Sequence, residues 1–156
     1  MPIIKTVNGD IISMFKNRDF DIMLHGCNCF HTMGAGVAGQ IAKAYPEALL
    51  ADKQTEYGID KRGSYSSALT KNGVIVNAYT QFRPGKEHPS AIYDSIDKVF
   101  SNINRLFNAI PSIYITAIGI PKIGSGIAGG DWDQIEKIIN DAAPDLHITL
   151  VNYVPK

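Results

Sequence analysis

Two glycine-rich segments constrain this chain more than anything else in it. They are His31-Thr-Met-Gly-Ala-Gly-Val-Ala38 and Gly124-Ser-Gly-Ile-Ala-Gly-Gly-Asp-Trp132. Each follows an apolar, strand-like run and opens into a helix-like run, so each is a strand-to-helix joint. Such joints belong to domains in which strands alternate with helices. They leave backbone N–H groups unpaired at a helix start, where the helix dipole also favours an anion. Neither segment carries a lysine or arginine. Taken alone, each joint reads as glycines making a tight turn. Together in one small chain they read as a cradle for a ligand with more than one phosphate.

The 156 residues suit one domain, residues 1–156, with a single sizeable core. A hydrophobic share of 45% excludes a disordered composition, and no apolar run is long enough to cross a bilayer. The start, Met1-Pro2-Ile3-Ile4-Lys5, lacks the charged and apolar regions of a signal peptide, so a cytoplasmic location and no membrane partner are expected. Lys+Arg and Asp+Glu both number 15, which argues against general nucleic-acid binding while leaving a local basic patch open. Cys27 and Cys29 cannot close a structural zinc site by themselves and are too near each other for a good disulfide. They read as small, buried, reduced thiols at a strand end, and no metal and no cofactor are expected. The oligomeric state cannot be read from one sequence.

Along the chain, Ile3 to Val7 reads as a strand ended by the turn pair Asn8-Gly9. Asp10 is placed to cap a short helix, Ile11 to Lys16. Asp21 to Cys27 is a buried strand. After the first joint, Val37 to Tyr45 is helical, and Pro46 starts a second helix running to about Tyr57. Tyr65 to Thr70 and Val74 to Tyr79 form a hairpin about Lys71-Asn72-Gly73. Gln81 to Pro89 is a loop. Ile92, Ile96, Val99, Ile103, Leu106 and Phe107 recur at helical spacing, giving a long amphipathic helix from about Ala91 to Asn108, closed by Pro111. Ile113 to Ile118 is a buried strand leading into the second joint. Trp132 to Ala143 is helical, and His147 to Tyr153 is a last strand. The sum is a three-layer α/β/α domain with a mixed central sheet. Ligands in such sheets bind beyond the carboxyl ends of strands, so the two joints should face each other there.

The chain resembles the macro domain, an ADP-ribose-binding α/β module, in three motifs and over nearly its whole length. They are Gly9-Asp10-Ile11-Ile12, Asn28 followed by Met33-Gly34-Ala35-Gly36-Val37-Ala38, and Ile120-Pro121-Lys122-Ile123-Gly124-Ser125-Gly126-Ile127. It is most similar to the branch that processes ADP-ribose-1''-phosphate. The resemblance implies that Asp10 accepts from the adenine amino group and that Ile11 walls the base. It implies that Asn28 bonds the distal ribose hydroxyls, its amide offering donor and acceptor. Gly34, Ala35, Gly36 and Val37 would line the distal ribose and one phosphate. Ser125, Gly126, Ile127 and Ala128 would wrap the diphosphate, and Tyr153 would pack on the adenine. Each has a plainer reading beside it: Asp10 as a helix cap, Asn28 as a turn holder, Tyr153 as edge packing.

The implied activity is hydrolysis of ADP-ribose-1''-phosphate to ADP-ribose and phosphate. The alternatives are a reader of free or conjugated ADP-ribose, a deacetylase of O-acetyl-ADP-ribose, or an ADP-ribosyl hydrolase. Relatives that deconjugate macromolecules use a lysine after the strand matching Val74 to Tyr79 and an aspartate inside the second loop. Here those places read Thr80-Gln81-Phe82 and Ala128, which argues against a lysine adduct. The catalytic candidates are therefore His31, Asp131 and Asn28. His31 adjoins the first glycine loop and suits proton transfer near neutral pH. Asp131 serves equally as a cap for the helix at Trp132. His25 is expected to point into the core.

Overall fold

The computed structural model describes residues 3–34, 36–109, 117–125 and 128–153. Among these residues six strands form one sheet: β1 (Ile3–Gly9), β2 (Ile22–Cys27), β3 (Tyr65–Thr70), β4 (Gly73–Tyr79), β5 (Ala117–Ile120) and β6 (His147–Tyr153). Their order across the sheet is β1-β6-β5-β2-β4-β3. All neighbouring pairs are parallel except the β3–β4 hairpin, so the sheet is mixed as expected.

Among the described residues, five helices cover the two faces. Against one face lie α1 (Ile11–Lys16), α2 (Gly36–Ala44) and α3 (Pro46–Lys53), against the other α4 (Pro89–Asn108) and α5 (Trp132–Ala142). Alternation along each strand divides the core accordingly. Met23, Ile75 and Tyr79 pack with Ile11, Phe15 and Ile41 on the first side. Leu24, Val76 and Ala78 pack with Ile96, Phe100 and Ile139 on the second. Among the described residues no helix is long and apolar enough to cross a membrane.

Three local expectations need correction. Asn8 and Gly9 do not end β1; they continue it, paired with Asn152 and Tyr153 of β6. A long-range parallel partner overrides the local turn signal. The hairpin turns at Lys71-Asn72, and Gly73 already belongs to β4. Gly73 has φ +144, and a Cβ there would stand 2.4 Å from the Asp21 carbonyl oxygen, so only glycine fits. Finally, α3 ends at Lys53, short of Tyr57. Residues 113–116 of the expected Ile113 to Ile118 strand, and Pro111, lie outside the described residues.

Candidate functional site

Three connected cavities run along the carboxyl ends of the parallel strands. The first, about 280 Å³, is lined by Gly9, Asp10, Ile11, Gly36, Val151 and Tyr153, among others. Val37 and Pro121 join it to a central cavity of about 240 Å³, which also takes Thr80, Lys122, Ser125 and Ala128. Gly26, Ala38 and Gln81 join that in turn to a far cavity of about 240 Å³ with Asn28, Thr32, Gly34 and Pro84. Both glycine joints thus face one cleft, where an open α/β sheet is expected to bind ligand. A larger hollow of about 600 Å³ lies between the start of β3 and α4. Four cations line it: Arg62 and Lys98 are paired with Asp60, Glu87 and Asp94, Lys61 donates to the Cys29 and Glu56 carbonyl oxygens, and Arg105 stands beside them.

At the first cavity, Asp10 caps α1: Ile12 N donates to Oδ1 at 3.0 Å and Ser13 Oγ to Oδ2 at 3.2 Å. A carboxylate has about four lone-pair sites, so acceptor capacity remains toward the cavity. Ile11 is buried beside it, and Tyr153, 63% exposed, ends β6 at the cavity rim.

In the middle, the first joint meets the expectation. Gly36 is left-handed (φ +59) and opens α2. The N–H groups of Gly36, Val37 and Ala38 stand in its first turn, without intrahelical acceptors. The second joint does not. It folds on itself, Gly130 N donating to Gly124 O at 2.8 Å and Ser125 Oγ to Lys122 O at 2.8 Å. Helix α5 starts only at Trp132, and the Asp131 side chain caps it by accepting from Asp133 N at 3.2 Å. Its helix start therefore does not face the cleft as an anion site. Ala35, Gly126 and Ile127 lie outside the described residues.

At the far cavity, the Asn28 amide holds the loop that follows β2. Its Oδ1 accepts from Phe30 N at 2.9 Å and Thr32 Oγ1 at 3.0 Å, and its Nδ2 donates to Thr32 O at 3.1 Å. Both lone pairs of the oxygen are engaged, so only one N–H remains for a ligand. The expected donor-and-acceptor role reduces to that of a single donor.

The remaining candidates stand elsewhere. His31 is left-handed (φ +56), contacts Thr55 Oγ1 through Nε2 at 3.2 Å and packs edge-on against Tyr57. Neither His31 nor Asp131 lines any of the three cavities. His25 points into the core, 1% exposed, with Nε2 at 2.7 Å from Asn77 Oδ1. Burial pushes its pKa down to about 4, against the hydrogen bond to Asn77. Burial also pushes the Cys27 thiol well up, with the Asp52 carboxylate adding to the effect. Both cysteines are free and buried.

Sequence reasoning missed the segment after β4. Gln81 lines both the central and far cavities, and its Nε2 donates to Arg83 O at 2.8 Å and Gly85 O at 3.1 Å. Glu87 steadies the same loop: its carboxylate accepts from Phe82 N at 2.6 Å, and its own N–H donates to Ala128 O at 3.0 Å. The available signal was the Arg83-Pro84-Gly85 turn directly behind the carboxyl end of a parallel strand.

Fold and cleft define a three-layer α/β domain with a ligand groove across its switch point. The family model described as Macro domain matches residues 24–139, and the chain belongs to the macro domain family. It is 42% identical, over 98% of both chains, to an uncharacterized 17.5 kDa protein of Enterobacteria phage T4. It is 22% identical to an ADP-ribose 1''-phosphate phosphatase of Saccharomyces cerevisiae, covering 83% of this chain and 88% of that one. From Mycobacterium tuberculosis come a DNA ADP-ribosyl glycohydrolase and a solved DarG macrodomain. The first is 26% identical, over 95% of this chain and 41% of that protein. The second has a TM-score of 0.71 at 22% identity, with 99% of each chain covered.

Proposed function

We propose that this cleft binds ADP-ribose and that the chain hydrolyses ADP-ribose-1''-phosphate to ADP-ribose and phosphate. Adenine lies at the end formed by Asp10, Ile11 and Tyr153. The diphosphate crosses the middle, over Gly36, Val37, Ser125 and Ala128. The distal ribose enters the far cavity beside Asn28 and Gly34. The observation that carries this reading is the continuity of three cavities whose linings change in that order: a carboxylate, then helix-start N–H groups, then an amide donor. The yeast relative supports the phosphatase activity.

In the reaction, water attacks phosphorus and the bond between phosphorus and the C1'' oxygen breaks, leaving a sugar hydroxyl and inorganic phosphate. Among the described residues lining the central and far cavities, the titratable side chains are His25, Cys27 and Lys122. His25 is held neutral with Asn77, and the Cys27 thiol is kept protonated by burial. Catalysis therefore rests on positioning and on donors that hold the phosphate, and turnover is slow. The same observation favours a second reading, binding without turnover. A lysine-adduct route to deconjugation is disfavoured, because Gln81 stands where that nucleophile is needed and an amide cannot supply it.

The deciding experiment incubates the protein with ADP-ribose-1''-phosphate, O-acetyl-ADP-ribose and ADP-ribosylated DNA, following phosphate, acetate and ADP-ribose release. Phosphate release from the first alone supports the phosphatase. No release from any, with ADP-ribose still bound, leaves the reader.

A further inference from the structure

Thr80 follows β4 and lines the central cavity, yet it is 2% exposed. Its backbone is pinned by Thr80 N donating to Cys27 O at 3.2 Å. Its hydroxyl is different: Oγ1 makes no hydrogen bond with any other described residue. The buried hydroxyls of Thr70, Ser95, Tyr45 and Tyr79 donate, to Gly73 O, Ala91 O, Asn72 Oδ1 and Asp52 Oδ1, while that of Thr149, which lines none of the three cavities, resembles Thr80 in making no such bond among the described residues. The oxygen is not sealed in: among the described residues the enclosed side-chain atoms without a partner are Asp52 Oδ2 and Asn152 Oδ1, so the Thr80 hydroxyl opens on the cavity with its proton free for a ligand.

The rest of the lining narrows the role. Ser125 gives its proton to Lys122 O. Gln81 has both N–H groups engaged and turns only an acceptor to the cavity, which a phosphate would not favour. Both Nε2 partners are carbonyl oxygens, which fixes the orientation of the amide. Lys122 is exposed, so solvent screens its charge. His25 is committed to Asn77. Thr80 is then the one neutral side chain lining the central cavity, among the described residues, with a proton still to give. Opposite it β2 presents Gly26, where any side chain would collide with Oγ1. The missing side chain leaves an oxygen of the ligand room to reach the hydroxyl.

We infer that Thr80 Oγ1 donates a hydrogen bond to a phosphate oxygen of the ligand's diphosphate. It is a side-chain contact in a subsite otherwise served by backbone amides. This rests on the ADP-ribose reading of the cleft. An O–H donor to a charged oxygen makes a short, strong bond, and β-branched threonine holds its hydroxyl in few rotamers.

The test compares wild type with Thr80→Val, which keeps the shape and removes the hydroxyl, and Thr80→Ser, which keeps the hydroxyl. ADP-ribose affinity is read by calorimetry, and the ligand-free melting temperature is read alongside. We expect Thr80→Val to bind ADP-ribose about tenfold more weakly or worse, the usual effect of losing a hydrogen bond to a charged group. Thr80→Ser should stay near wild type, and the ligand-free melting temperature of Thr80→Val should not fall. Equal affinity of wild type and Thr80→Val overturns the inference. So does a lowered ligand-free melting temperature in Thr80→Val that Thr80→Ser restores, since the hydroxyl would then serve the fold. A wild type that fails to bind ADP-ribose overturns the cleft assignment itself, and the role of Thr80 with it.

Discussion

A methyl group built on Gly26 would stand 2.8 Å from Thr80 Oγ1 and 3.1 Å from Ile123 Cγ2. The glycine is thus fitted to two neighbours that follow different strands, β4 and β5, at the point where the central and far cavities meet. Gly26→Ala should leave the fold in place but push Thr80 and Ile123 aside, at a cost of about 1–3 kcal/mol in stability. ADP-ribose affinity should fall with it. Calorimetry and thermal melting check both, and an alanine variant with wild-type affinity would show that the cleft tolerates the methyl.

Asp10 caps α1 and, in the proposed reading, accepts from adenine; two variants separate these roles. Asp10→Ala removes the acceptor for Ile12 N and should cost about 1 kcal/mol of stability, together with weaker ADP-ribose binding. Asp10→Asn keeps an oxygen for Ile12 N and places an amine where the second carboxylate oxygen stood. That amine would face the adenine amino group donor to donor. The asparagine variant should melt near wild type and still bind ADP-ribose weakly.

Folding stability should fall in mild acid through His25. Burial holds the folded imidazole at a pKa of about 4, against 6.5 in the unfolded chain. Below pH 6.5 the unfolded chain takes up a proton that the folded one refuses. The contribution is therefore fully present above about pH 6.5 and is lost as pH falls toward 4. The full shift corresponds to ~3 kcal/mol. His25→Gln should flatten the fall in melting temperature between pH 6.5 and 4; an unchanged slope would assign that loss to other groups.

His31 and Asp131 should matter to structure rather than to chemistry. His31→Ala should leave ADP-ribose affinity and phosphate release within about twofold of wild type, whereas a general acid–base group contributes on the order of a hundredfold. Asp131→Ala should cost about 1 kcal/mol through the lost α5 cap, with affinity unchanged. A hundredfold loss of phosphate release in either variant would return that residue to the mechanism.

What the sequence made legible was local. The cap at Asp10 and the face of α4 follow from spacing within a single turn or helix, as does the glycine opening of α2. What it hid depends on distant partners. Asn8-Gly9 looks like a turn until β6 arrives 144 residues later to pair with it. Thr80 and Gln81 look like the polar start of a loop, because their value lies in which cavities β4 delivers them to. His31 adjoins the glycine loop in sequence, but its left-handed backbone turns the ring toward Thr55 and Tyr57. The Asn28 amide offers a donor and an acceptor in the sequence, and its turn-holding bonds to Phe30 and Thr32, which leave a single N–H over, appear only when the loop closes.

The pairing of β1 with β6 brings Gly9 beside Tyr153. The first cavity therefore exists only once the earliest and latest strands have met, which makes it among the slowest parts of the molecule to assemble. A ligand held there works as a clasp between the two ends of the fold. It would slow their parting, so occupancy of the groove and resistance of β6 to unravelling should rise and fall together.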